Sequence, residues 1–114
     1  MKARIQFIKG IDETTIPVVN ITRSRDGSTG TATFIFKNAN VLYNKVNQNS
    51  EIIGMFMIDN EGTLSTKDIN AKFVDGKPTS IQAIYIIKSP ESWDRFMRFM
   101  ERYADEHNLT FVRA

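Results

Sequence analysis

The chain has no cysteine, one histidine and only three prolines in 114 residues. Without cysteine there is no disulfide, no thiolate nucleophile and no cysteine-ligated metal. The lone histidine, His107, leaves no histidine-rich zinc site. Long apolar runs are missing too, and nothing approaches the roughly 20 residues needed to span a bilayer. Residues 1–7 carry neither an apolar signal core nor an Arg/Ser-rich transit pattern, and pass straight into strand-like alternation. This reads as a soluble chain that works where it is made, or one already processed. Excess charge is also small: 15 basic against 13 acidic residues leave +2, too little for strong steering toward nucleic acid. No carboxylate spacing singles out a pair for acid–base work, and His107 sits at a helix end beside Asp105 and Glu106, where it serves the helix terminus. Residue chemistry points away from an enzyme, toward surfaces, and calls for no cofactor, no metal and no small-molecule substrate.

What is present is ordinary globular material. An apolar fraction of 41% and a charged fraction of 25% argue against wholesale disorder. The length predicts a single domain over residues 1–114. Strands and a hairpin fill 5–37, an Asn-rich loop or short helix 38–50, a strand meander 51–88, a helix 89–107 and a tail 108–114.

Ile5–Ile8 is a short β-type run with Ile5 and Phe7 on one face. Pro17–Arg23 and Thr31–Phe36 are β-branched and aromatic, and Asp26-Gly27 between them can reverse the chain, which predicts a long hairpin. Residues 38–50 admit either a helical turn packed on the sheet or an irregular loop, because asparagine competes with helical hydrogen bonds. Ile52–Ile58 is nearly all apolar, as a central strand covered on both faces would be. Turn signals then recur at Asp59–Gly62 and Asp75–Pro78, at hairpin spacing, so a meander is expected. The fold class read from this pattern is α+β, a mostly antiparallel meander with a C-terminal amphipathic helix packed on one face.

That helix is the clearest element. Ser89 can cap it, and Pro90 at the first helical position gives up no hydrogen bond. Trp93, Phe96, Met97, Met100, Tyr103 and Ala104 share one stripe, with Arg95, Arg98 and Arg102 among the residues opposite. Glu91/Arg95 and Asp94/Arg98 stand four apart with the acid first, the favourable order. Phe99 lies at the stripe's edge, where it either widens the core face or marks a contact patch. Asn108 suits the left-handed residue that ends a helix, and Leu109 can fold back.

Two segments are candidates for binding. Arg23-Ser24-Arg25-Asp26-Gly27-Ser28-Thr29-Gly30 sets two guanidiniums on a glycine-containing turn, suited to carboxylates, phosphates or carbonyls of a partner; the plain alternative is a solvated hairpin tip. It is no P-loop, since no Gly-Lys-Ser/Thr closes it. Arg95, Arg98 and Arg102 form a basic stripe, although five acidic residues share the same helix and a solvated face explains it as well. A third feature is the backbone. An antiparallel sheet that does not close leaves unpaired N–H and C=O groups at its edges, where a partner segment can add as a strand.

Ile21-Thr22-Arg23-Ser24-Arg25-Asp26-Gly27-Ser28-Thr29-Gly30-Thr31-Ala32-Thr33-Phe34 resembles the signature of a small extrinsic photosystem II family, the one counted as subunit twenty-eight. Lys88-Ser89-Pro90-Glu91-Ser92-Trp93-Asp94-Arg95-Phe96-Met97-Arg98-Phe99-Met100-Glu101-Arg102-Tyr103-Ala104 resembles its second signature, and Asp75-Gly76-Lys77-Pro78 its intervening turn. The resemblance runs from about Ile5 to Asn108. It implies a non-catalytic assembly factor, peripheral on the cytoplasmic or stromal side of the thylakoid membrane. The implied partners are photosystem II intermediates containing the larger chlorophyll-binding core antenna and reaction-centre subunits, held by strand pairing while the immature acceptor side is protected. By position, the matching surface residues are Arg23, Arg25, Asp26, Gly27 and Thr29, with Arg95 and Arg98 behind them; Trp93, Phe96 and Met100 are expected in the core. The alternative from composition is a small nucleic-acid-binding β-module, which requires exposed aromatics on a basic sheet face.

Overall fold

A computed structural model describes residues 3–42 and 52–109, and the backbone alone of 112–113. Its strands are β1 (Arg4–Ile8), β2 (Ile11–Asp12), β3 (Val18–Arg23), β4 (Gly30–Lys37), β5 (Met55–Asp59), β6 (Gly62–Thr66), β7 (Ile69–Val74), β8 (Lys77–Ile87) and β9 (Val112–Arg113); the helix α1 is Pro90–His107. A 3₁₀ turn covers Asn40–Leu42, so the beginning of the Asn-rich segment is helical in part, while 43–50 lie outside the described residues.

The α+β class and the amphipathic helix stand as read from the sequence, but the strands divide into two sheets. One has the order β2-β1-β5-β6, the other β7-β8-β4-β3-β9. Pairing is antiparallel throughout except where β9 runs parallel to β3. The break falls between β6 and β7. β5 takes β1 as its second neighbour rather than the β4–β8 sheet, with Ile5 opposite Met57. A one-dimensional pattern of alternation and turns is the same for one meander or for two. The apolar run at 52–58 contributes a shorter strand than expected: Met55, Met57 and Asp59 face inward, Phe56 and Ile58 are half-buried, and Ile53 is exposed.

The core lies where the two sheets and α1 meet. Phe7 of β1 contacts Phe36 of β4 edge-to-face at 5.0 Å. Phe96 of α1 stacks on Tyr85 at 5.2 Å and meets Phe34 edge-to-face at 6.2 Å. Because the helix touches β5 of one sheet and β8 of the other, its buried face is wider than a single-sheet stripe. Phe99 is accordingly fully buried, which resolves its position at the stripe edge in favour of the core. The caps are as the sequence suggests: Ser89 Oγ accepts from the Ser92 N–H at 3.1 Å, and Asn108 ends the helix at φ +54°.

Candidate functional site

The hairpin between β3 and β4 is a self-supporting tip. The Asp26 carboxylate accepts from the hydroxyls of Ser28 and Ser24 at 2.7 and 2.8 Å and from the Ser28 N–H at 3.0 Å. These bonds, Ser28's first, hold its pKa down to about 2. The Ser24 N–H donates to the Thr29 carbonyl at 2.9 Å, the Thr29 N–H donates to Ser24 Oγ at 3.1 Å, and Gly27 takes φ +76°. Arg23 is turned back onto the fold. Its Nε donates to the Gly27 carbonyl at 2.9 Å, and its guanidinium lies 4.4 Å from the centre of the Trp93 ring. Gly30 permits that closure, since a Cβ there would stand 2.7 Å from both the Trp93 ring and the Thr22 carbonyl. Of the five tip residues singled out from sequence, Arg23, Asp26, Gly27 and Thr29 build the loop; Arg25, exposed as Arg23, Asp26 and Thr29 also are, makes none of these bonds.

The basic stripe of α1 is closed over by the β5–β6 turn. Asp59, its side chain fully shielded from solvent, accepts from Arg95 Nη2 at 2.6 Å, Arg95 Nη1 at 2.9 Å, Arg102 Nη1 at 2.9 Å and the Glu61 N–H at 3.0 Å. Glu61 accepts from Arg98 Nε at 2.8 Å, Arg98 Nη2 at 2.9 Å and Arg102 Nη1 at 2.6 Å. Burial pushes the Asp59 pKa up, but the hydrogen bonds from Arg95 and Arg102 outweigh it, leaving the group lowered. The bonds from Arg98 and then Arg102 bring Glu61 down to about 2. Arg95 and Arg98 thus fasten the first sheet to the helix. The acidic Asp59-Asn60-Glu61-Gly62 turn facing a three-arginine stripe was the sequence signal for this clamp, missed because the i,i+4 acids offered a local partner.

Between the clamp and the hairpin tip, β8 runs past the end of its outer neighbour. β7 pairs with β8 only as far as Ala83, whereas β4 follows it to Ile87. The Ile84 N–H bonds the Asp68 carbonyl at 2.9 Å, and the Ile84 carbonyl accepts from Thr66 Oγ1 at 2.6 Å. Antiparallel alternation then turns the Ile86 N–H and C=O to that same side, where β7 has ended. They face an open groove lined by Ser65 and Thr66 of β6, Asp68, Tyr85 and Ile86 of β8, and Lys88 and Ser92. Ile86 itself is 51% exposed. A second shallow groove, on the other side of Ile86–Lys88, is lined by Thr22–Ser24 and Thr29–Thr31 of the tip. The open strand end, Lys88 and the Arg25-bearing tip therefore form one continuous margin. Sequence reasoning expected a free edge without locating it.

Elsewhere, Phe7, Phe34 and Phe36 are fully buried, which removes them as a stacking platform for nucleic-acid bases. Among the described residues there is no cluster of three or more potential metal ligands, and no helix long and apolar enough to cross a membrane.

Fold and site define an open-edged α+β domain of two small sheets clamped to one helix. The family model described as Psb28 protein matches residues 5–111. The "Photosystem II reaction center Psb28 protein" of Thalassiosira pseudonana is 63% identical over 114 residues, covering both chains completely. The proteins of the same name from Pyropia yezoensis and Synechococcus elongatus are 57% identical over 112 residues, covering 98% of this chain and 97% of that one, and 51% identical over 114, covering both completely. The chain belongs to the Psb28 family.

Proposed function

We propose that this chain is a non-catalytic photosystem II assembly and repair factor that captures extended partner segments at the open end of β8. The observation that carries the reading is the Ile86 main chain, turned into a groove that β7 does not fill. A segment laid there continues the β8 ladder, with β6 as the opposite wall. Each added backbone bond contributes roughly 0.5–1.5 kcal/mol net, so a few suffice for transient binding. The exposed Arg25 and Lys88 supply cations beside it. Asp26, Gly27, Thr29 and Arg23 hold the tip in shape, and Arg95 and Arg98 hold β6, the far wall.

The names of the relatives support the photosystem II assignment and a subunit rather than an enzyme. In this reading the partners are assembly intermediates containing the larger chlorophyll-binding core antenna and reaction-centre subunits. The contact is peripheral, on the cytoplasmic (stromal) side of the thylakoid membrane, and it shields the immature acceptor side.

The test is Ile86→Pro. Proline there removes one N–H from the margin and leaves the β4 ladder whole, because the Ile86 amide points away from β4. Tagged wild-type chain should recover antenna-containing intermediates from cells, and both Ile86→Pro and Arg25→Glu should recover markedly fewer at unchanged melting temperature. Undiminished recovery by a folded Ile86→Pro variant would refute the strand-pairing mechanism.

A further inference from the structure

The opposite end of β8 carries a feature that the docking margin does not use. In the β7–β8 hairpin, Lys72 stands opposite Ser80 but Phe73 stands opposite Pro78, so Thr79 has no opposite number and forms a bulge. The bulge is held in place: the Thr79 carbonyl accepts from the Asn38 N–H at 2.8 Å, and Thr79 Oγ1 donates to the Lys72 carbonyl at 3.3 Å. A bulge re-aims the side chains beyond it. Here the residues beyond it are Phe73 and Val74, 63% and 58% exposed, and Phe73 is the most exposed large apolar side chain among the described residues. Both meet solvent at the turn, as do Asn70, Ala71 and Lys72 before them, so this end of β7 is uncovered on both faces.

The charge around this tip has one prevailing sign. Lys37 of β4 and Lys72 of β7 flank Ser80 of β8 in register, which sets them about 10 Å apart on the outward face. Lys77 stands opposite Val74. All three lysines are exposed, and Asp75 in the turn is the one acid of the tip. Glu13, near the base of this end, is buried and accepts the N–H groups of Thr15, Asn40 and Val41.

We propose that the β7–β8 hairpin tip is a lipid-contacting element, inserting Phe73 and Val74 into the headgroup region of an anionic bilayer while Lys37, Lys72 and Lys77 meet its phosphates. An apolar pair backed by a row of lysines fits that surface, with the lysine stems lying along the apolar layer and their ammonium groups in water. Two side chains give weak, reversible adsorption. The inference does not depend on the photosystem reading, since β8 separates the two sites by its full length.

The test is co-sedimentation of the full chain with phosphatidylcholine vesicles, with and without phosphatidylglycerol, at low and high salt. Wild type should bind the anionic vesicles alone and be released by salt. Phe73→Ser/Val74→Ser should lose most of that binding, and each Lys→Gln change at 37, 72 or 77 should weaken it about five-fold. Absence of binding to anionic vesicles at low salt overturns the proposal, as does binding unaffected by both sets of changes. Concentration-dependent self-association that vanishes in Phe73→Ser/Val74→Ser, without vesicle binding, would assign the tip to a second copy of the chain instead. Should the serine variant not fold, the lysine series decides alone.

Discussion

Asp59→Asn isolates the clamp between the first sheet and α1. The substitution keeps the shape of a side chain with no solvent exposure and removes the charge to which Arg95 and Arg102 donate. Breaking a fully buried ion pair from one side costs about 3–5 kcal/mol; because the arginine side chains here are 17% and 34% exposed, about 2–3 kcal/mol is expected. Arg98→Ala is the matched control. Arg98 is 48% exposed on Glu61, and its loss should shift the urea midpoint far less than Asp59→Asn does. Urea denaturation, compared at neutral and acid pH, measures both. Asp59 and Glu61 have folded-state pKa values below their ordinary ones, so their stabilisation is present above the ordinary carboxylate range and is lost as pH falls through the folded values. For Glu61 that window runs from about 4.5 down to about 2. Wild type should lose stability across it, and Asp59→Asn should lose visibly less. A loss below about 1 kcal/mol at neutral pH together with an unchanged acid slope would refute the clamp.

Trp93→Ala should cost about 3–5 kcal/mol in urea denaturation, since it opens a cavity under the hairpin tip and strips Arg23 of its stacking surface. Gly30→Ala should lower the melting temperature by overpacking worth about 1–3 kcal/mol, because the new methyl meets a backbone carbonyl and an indole at once; an unchanged midpoint would mean that the tip does not close on the helix as described.

Local chemistry was readable in the sequence where one residue type decides the outcome. Ser89, Pro90 and Asn108 bounded the helix, and Asp26-Gly27 turned the hairpin, because caps and turns depend on neighbours a few residues away. The division into two sheets was not readable, because β5 finds β1 some fifty positions back and nothing in either strand's alternation names its partner. The roles of the candidate residues were half-readable. Arg23, Arg95 and Arg98 stood out as cations on turns and helix faces, but whether a guanidinium meets solvent or an indole and a carboxylate depends on long-range packing. The open end of β8 follows from a length mismatch between two paired strands, and that quantity exists only once their register is known.

The walls of the groove at Ile86 belong to different bodies: β6 to one sheet, β8 to the other, and Ser92 to the helix. A ribbon lying in it would act as a keystone, touching all three and resisting any change in the angle between them. Capture and stiffening would then be one event, so that the protein is a more rigid object on its client than off it.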